Sequence, residues 1–470
     1  MSLTDSEREM MEKAIKGGLF SLFFAAAMML SMGTAAYASD TVNVSSASEL
    51  NAALNAGNDV VLTGDFSLDD NTEYHLKTTG DNPVADINLN GHTITAGSGH
   101  FIVDDSAAAR IFGDGTMTGA TTDLFNLTSS TSSITIEGGS FTHNERVVYG
   151  TGSTLTISGG SFTNNGTGSA TGVTVAKGGA VYIIDGGTLN VSGGTFSENR
   201  AKRGGALKAD NSTVNITGGD ISNNTADWFG GGLNVYGGSF TMTAGTFESN
   251  QSLNGDSTPT SHDSWGSGGG AIYVGGDCTV ALTGGTITKN YAKSSGGAIA
   301  YIGSTTLTIG AADGSSGPSI TDNTSEEHEG GGIAIFTGNA TMYAATITGN
   351  KAGYHLDGTP NTNFADWGGG GIFVANYWTK NSDGTYGAML YIPTTALISN
   401  NNAGGFGGGV AGCSTGRVSL FSDGSTNGAA ILNNTAAMQH VSGTESAKNE
   451  DHTFGLQNAE FMKDGANDYY

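Results

Sequence analysis

The chain contains little proline, little cysteine and few charged residues, and each shortage excludes a class of protein. Its 470 residues include only 5 prolines and 2 cysteines, so neither a proline-rich rod nor a disulfide framework can dominate the fold. Charged residues make up only 13% of the chain, whereas apolar residues make up 37%, which is too high a share for a disordered protein. We therefore expect a folded protein that does not depend on disulfide bonds.

Basic residues are scarce as well. The sequence has 18 lysines and arginines against 43 aspartates and glutamates, which gives a formal net charge of −25. A protein that binds phosphates needs a basic face, so a nucleic-acid partner is not expected. The same charge disfavours binding to an anionic bilayer surface.

Glycine is abundant, with 77 residues, and pairs of glycines occur at regular places in a sequence motif that recurs along the chain. Residues 193–233 contain the motif twice: a Gly pair, a Phe or Ile, two polar residues, Asn, and a short link to the next Gly run. The Phe/Ile-x-x-Asn part occurs ten times, starting at Phe141, Phe162, Phe196, Ile221, Phe247, Ile287, Ile320, Ile347, Ile398 and Ile431. A period of roughly 20–50 residues indicates a solenoid, a propeller or an array.

Each repeat contains three short segments with alternating polar and apolar residues, the pattern of strands with one buried face. One segment follows the Gly run (Val181/Ile183), the next follows shortly after (Leu189/Val191), and the third is the Phe/Ile-x-x-Asn part. Three strands are too few to close a barrel or to build a propeller blade. They suit one triangular coil, whose strands pair with equivalent strands ~4.8 Å away. The predicted fold class is all-β, a single-stranded parallel β-helix with three strands per coil.

The repeated Gly and Asn residues are expected to be structural. Glycine permits positive φ at a turn, and Asn tolerates the left-handed region at the corner after the third strand. Stacked Asn side chains can also bond along the solenoid axis. Leu50, Ala53 and Leu54 are at helical spacing within 46–57, which predicts a short N-terminal capping helix. The predicted segments are the cap and first coils at 39–100, the repetitive β-helix at 101–437, and a final, incomplete coil at 438–470.

The N-terminal residues indicate export. The apolar run at 19–31 is too short for a lasting membrane span, and Ala36-Tyr37-Ala38 matches the small-x-small cleavage pattern. We therefore predict a signal peptide at 1–38, secretion or cell-surface display, and no membrane-spanning segment after its removal. At the other end, Tyr469 and Tyr470 lie in a strand-like segment, for which we expect end-to-end self-association.

The motifs resemble those of a known group of repeat proteins. Gly205-Ala206-Leu207 and its equivalents, together with the ten Phe/Ile-x-x-Asn parts, are similar to the repeats of chlamydial polymorphic outer membrane proteins and related bacterial adhesin-like proteins. The resemblance covers residues 134–436 and, by fold, extends to the pectin-lyase-like superfamily. It implies a right-handed β-helix displayed at a bacterial outer membrane or cell wall.

One set of residues stands out from the repeat, because it combines aromatic rings, carboxylates and imidazoles just ahead of the Gly runs. Equivalent corners of a solenoid stack, so we expect these side chains along one edge, where aromatic faces flanked by carboxylates suit a sugar. The alternative is that each tryptophan packs on the glycines beneath it and closes its own loop. The candidate ligand-binding residues are Trp228, Trp265, Trp367, Asp227, Asp263, Asp366, His262 and His355.

Two functional hypotheses remain open. The first is a non-catalytic adhesin or binding stalk that presents these loops to a glycan or surface protein of a host or neighbouring cell. The second, by fold analogy, is a polysaccharide lyase or glycoside hydrolase. The Asp69-Asp70 and Asp104-Asp105 pairs lack the companions that such chemistry needs, so no catalytic residue is assigned. No cofactor or resident metal is expected; loop-bound calcium stays open, although no ligand spacing repeats.

Overall fold

The protein is a parallel β-helix. The computed structural model describes residues 40–80, 82–166, 177–254, 268–362, 368–375, 388–393, 396–405, 407–412, 416–420 and 430–436. Throughout these ranges, each strand pairs in parallel with the equivalent strand of the next coil. The predicted fold class is confirmed. The predicted signal peptide and C-terminal coil lie outside the described residues.

One helix, Ala47–Asn55, covers the first coils. Ser46 caps it, since its Oγ accepts a hydrogen bond from the Glu49 backbone N–H at 3.3 Å. Leu50 and Leu54 are buried against the first strands, as their helical spacing predicted. Among the described residues, no helix is long and apolar enough to cross a membrane.

The large sheet receives two strands from each coil, the strand after the Gly run and the alternating strand that follows it. In three coils the two are continuous. Its strands are Thr41–Val44, Asp59–Leu62, Glu73–Leu76, Ala85–Asn88, His100–Val103, Ala108–Phe112, Asp123–Leu127, Ser133–Ile136, Arg146–Thr151, Thr154–Ile157, Val181–Ile184, Thr188–Val191, Leu207–Ile216, Leu233–Met242, Ile272–Leu282, Ile299–Gly303, Thr306–Ile309, Ile333–Ile335, Asn339–Met342, Ile372–Val374, Ala388–Ile392, Val410–Gly412 and Gly416–Leu420.

The second sheet, intermediate in size, contains the Phe/Ile-x-x-Asn strands, one per coil. Their Phe and Ile side chains are in register from coil to coil and form a column inside the core. Phe162 and Phe196, for example, stack with ring centroids 4.6 Å apart. Its strands are Phe66–Ser67, Thr93–Thr95, Thr116–Thr118, Ser140–Thr142, Ser161–Thr163, Thr195–Ser197, Asp220–Ser222, Thr246–Glu248, Thr286–Thr288, Ser319–Thr321, Ala345–Thr348, Ala396–Ser399 and Ala430–Leu432.

A small sheet adds a fourth short strand to the later coils. It follows the Asn corner, where a small residue such as Ala201 or Ala226 is buried at the same position of successive coils. Most of these strands have two residues, too few to show an alternating pattern in the sequence. They are Arg200–Arg203, Thr225–Phe229, Gln251–Ser252, Tyr291–Ala292, Thr324–Ser325, Lys351–Ala352, Asn402–Ala403 and Thr435–Ala436.

The repeated asparagines form a continuous internal ladder, as the stacking argument predicted. Asn199, for example, donates its backbone N–H and its Nδ2–H to Asn224 Oδ1 at 3.0 and 2.9 Å. Its Nδ2 also donates to Phe162 O at 2.8 Å. Similar bonds connect all ten asparagines, Asn144, Asn165, Asn199, Asn224, Asn250, Asn290, Asn323, Asn350, Asn401 and Asn434.

The expectation that these asparagines themselves adopt the left-handed conformation is wrong. The residue before each one has positive φ instead, as at His143 (54°), Glu198 (57°) and Lys289 (55°). The reversal at the corner therefore precedes the ladder asparagine, whose own side chain is turned inward to bond its neighbours. Because the residue with positive φ is exposed or half-buried and varies from coil to coil, the sequence pattern did not mark it.

Candidate functional site

Trp228 and Asp227 lie at the end of the short strand Thr225–Phe229. The Asp227 carboxylate accepts hydrogen bonds from Arg200 Nε and Nη2 at 3.0 and 2.8 Å, so its charge is compensated by the preceding coil. The Trp228 side chain is 38% exposed, and the Arg203 guanidinium carbon lies 4.9 Å from its ring centroid. Lys202 Nζ is 5.7 Å from the same centroid. Trp228 is therefore part of a basic and aromatic surface.

His355 lies in another part of the same edge. Its Nδ1 is 3.0 Å from Glu326 Oε1, and Glu326 also accepts hydrogen bonds from Tyr291 and Lys293. The strand Lys351–Ala352 is four coils above Thr225–Phe229. At ~4.8 Å per coil, His355 is roughly 19 Å from Trp228 along the axis, so the fold does not bring these two residues together.

The remaining candidates lie outside the described residues. They are His262, Asp263, Trp265, Asp366 and Trp367. Their contribution to a ligand-binding edge stays a prediction. Within the described ranges, no group of three or more His, Cys, Asp and Glu side chains is placed to hold a metal ion.

A groove of about 830 Å³ lies beside Trp228, on the outer face of the large sheet. Two outward rows of side chains form its floor, because residues in register stack from coil to coil. The first row contains Tyr182, Lys208, Asn234 and Tyr273, and the second contains Ile184, Asp210, Tyr236 and Gly275. Lys177, Arg203 and Phe229 come from the adjacent corner and line its side.

A polar network fixes one end of this groove. Asp210 Oδ2 accepts hydrogen bonds from the Tyr182 hydroxyl at 2.7 Å and from Lys177 Nζ at 3.0 Å, and Lys208 Nζ donates to Asp210 Oδ1. Burial of Lys208, which is 2% exposed, lowers the pKa of its amine to about 8. Burial also raises the pKa of the Tyr182 hydroxyl to about 12. Asp210 therefore accepts hydrogen bonds from all three donors, and the two amines of the network outnumber its one carboxylate.

Aromatic rings form the other end. Tyr236 is 53% exposed and lies over the backbone of the next coil, where a Cβ added to Gly275 would be 3.0 Å from its ring. The same Cβ would be 3.0 Å from the Tyr273 ring, and Tyr273 packs on Phe229 with centroids 4.7 Å apart. We call Phe229, Tyr236 and Tyr273 the aromatic shelf. Glycine at position 275 is what allows the shelf to be continuous.

Sequence reasoning assigned the binding residues to the corner loops and missed this groove. The signal was present in the register of the repeats. Aligning the strands after each Gly run puts Tyr182, Lys208, Asn234 and Tyr273 at one outward position. Large aromatic and charged residues at one outward position favour a binding surface over an ordinary solvent-exposed face.

No family model matches the chain, and the searches found no match among curated proteins or solved structures.

Proposed function

We propose that this protein is a secreted or surface-displayed binding solenoid, similar in role to the bacterial adhesin-like proteins that its repeats resemble. Its β-helix acts as a rigid support, and the outer face of the large sheet binds a glycan of a host or neighbouring cell. The observation that carries the proposal is the aromatic shelf, exposed at Tyr236, beside fixed hydrogen-bonding groups in one groove.

The chemistry of the groove fits a saccharide. A sugar ring has an apolar face that packs on an aromatic ring, and its edge carries hydroxyls that need hydrogen-bond partners. Tyr236 offers the aromatic face, while Lys177 and Tyr182 offer polar atoms in the same groove. Because the β-helix already fixes these groups, binding requires little ordering of the protein.

A glycan-array screen tests the proposal. We expect wild-type protein to bind a subset of saccharides, and Tyr236→Ala to lose that binding while keeping its thermal unfolding midpoint. Leu356→Ala is the matched control, since Leu356 is 58% exposed but lies outside the groove. If no saccharide binds, or if Tyr236→Ala binds as wild type does, the proposal is wrong.

A carbohydrate-active enzyme is the second candidate, and Lys208 is the observation that favours it. An amine with a pKa of about 8 is partly neutral near neutral pH and can then accept a proton. However, its Nζ already donates to Asp210 and to Ala209 O at 3.2 Å, and the side chain is nearly inaccessible. We therefore rank this function second. Release of reducing ends or of an unsaturated sugar from a bound glycan would reverse the ranking.

A further inference from the structure

Arg203 differs from the other basic residues of the groove, because no carboxylate of the described residues pairs with it. Lys177 and Lys208 are both paired with Asp210. Within the described part of the chain, Arg203 makes no ion pair. Its guanidinium carbon lies 4.9 Å from the centroid of Trp228 and 5.5 Å from that of Phe229.

An arginine without an ion pair among the described residues is notable in this chain, where acidic residues outnumber basic ones by 43 to 18. Contacts with two aromatic rings hold the guanidinium in place but leave its N–H groups available. The groove is lined by three cations, Lys177, Arg203 and Lys208, and by two carboxylates, Asp185 and Asp210. The groove therefore carries a local excess of positive charge on a protein of net charge −25.

We propose that Arg203 selects a carboxylated saccharide, such as a sugar chain containing uronic or sialic acid. This inference rests on the proposed glycan-binding function and names the class of glycan. The planar guanidinium matches a carboxylate through two parallel hydrogen bonds, and Trp228 and Phe229 set its orientation. A neutral sugar would leave this charge without a partner.

Arg203 and the aromatic shelf are close enough to bind one ligand. Arg203 contacts Phe229, Phe229 packs on Tyr273, and Tyr273 and Tyr236 meet at Gly275. A sugar ring on the shelf therefore has a guanidinium at one side. Asp210 does not compete for Arg203, since Tyr182, Lys177 and Lys208 already occupy its oxygens.

The test compares three hexasaccharides by isothermal titration calorimetry: one made of uronic acid, its carboxyl-reduced neutral counterpart, and a sulfated derivative of the neutral one. We expect wild-type protein to bind the uronic acid form roughly ten- to a hundredfold more tightly than the neutral form, the range for a hydrogen-bonded charge pair. It should also bind the uronic acid form more tightly than the sulfated one. Arg203→Gln should remove the preference, and Arg203→Lys should restore only part of it.

Arg200→Gln is the matched control. Arg200 belongs to the same short strand, but its guanidinium is paired with Asp227, so the preference should remain. Equal binding of acidic and neutral forms by wild type, or a preference that survives Arg203→Gln, would overturn the inference and leave the glycan-binding function standing. Tighter binding of the sulfated form would overturn the choice of carboxylate. Binding of none of the three, together with an empty glycan array, would refute the proposed function itself.

Discussion

Replacing one ladder asparagine tests how far the internal ladder stabilises the β-helix, and Asn224→Ala is the clearest case. Asn224 is fully buried. Its Oδ1 accepts from the backbone N–H and the Nδ2–H of Asn199 at 3.0 and 2.9 Å. Its Nδ2 donates to Phe196 O at 2.8 Å and to Asn250 Oδ1 at 2.9 Å.

Alanine would remove all four bonds from a site that water does not reach. The Asn199 N–H and the Phe196 carbonyl would each lose the partner described above. Two other groups would keep a hydrogen-bond partner. Asn199 Nδ2 would still donate to Phe162 O, and Asn250 Oδ1 would still accept from the backbone N–H of residue 224. At about 1–3 kcal/mol for each of these two orphaned buried groups, we expect a loss on the order of 2–6 kcal/mol in the free energy of unfolding.

Urea denaturation followed by circular dichroism measures this loss. The control is Asn215→Ala, because Asn215 also bonds an asparagine of a neighbouring coil, Asn190 of the preceding one, at 2.9 Å, but on the partly exposed outer face. We expect the control to change stability by no more than about 1 kcal/mol. Equal midpoints for Asn224→Ala and Asn215→Ala would refute the reasoning, since Asn224 makes four buried hydrogen bonds whereas the Asn215 bond lies at a partly exposed site.

Three further outcomes follow from buried groups. Phe247→Ala should cost about 3–5 kcal/mol in unfolding free energy, because it opens a cavity in the Phe/Ile column; an unchanged urea midpoint would contradict the column. Burial raises the pKa of Glu329 from 4.5 to about 7. The contribution of its neutral form to the free energy of unfolding is therefore fully present below pH 4.5 and declines as pH rises through 7. Glu329→Gln should remove on the order of 3 kcal/mol of that decline, and parallel stability–pH curves for variant and wild type would refute it. Burial also raises the pKa of the free Cys278 thiol to about 12, so a thiol reagent should modify it slowly in native protein and fully in denaturant, and rapid native reaction would show an exposed site.

The sequence was sufficient to predict the β-helix because the features that build a coil are local and repeated. The Phe/Ile column and the ladder asparagines need the same side chain in every coil, so they produce a pattern that a single chain displays ten times. The capping helix was also readable, since Leu50 and Leu54 follow helical spacing. The short strands after the Asn corner could not be predicted, because a strand of two residues is too short to show an alternation of polar and apolar residues.

The candidate site was harder to predict, because it depends on register between distant residues. Arg203 and Phe229 are adjacent only because two short strands pair, and Tyr236 meets Tyr273 only across the Gly275 backbone. The tryptophans are rare residues at predicted corners, and Trp228 contacts Arg203 and Phe229, which line the groove. There its ring packs against the Arg203 guanidinium, a contact that the sequence pattern did not indicate.

The inward and outward rows of this β-helix follow different physical constraints. An inward row must repeat one side chain, because each Asn bonds the next and each Phe or Ile packs on its equivalent. An outward row takes no part in the ladder or in the Phe/Ile column, so successive coils carry Tyr182, Lys208, Asn234 and Tyr273 at one position. A binding surface can therefore change its charge and shape while the ladder keeps the coils in register. For this reason we propose that the groove, where aromatic and basic side chains interrupt the repeat, serves recognition, while the rows that keep the repeat stabilise the fold.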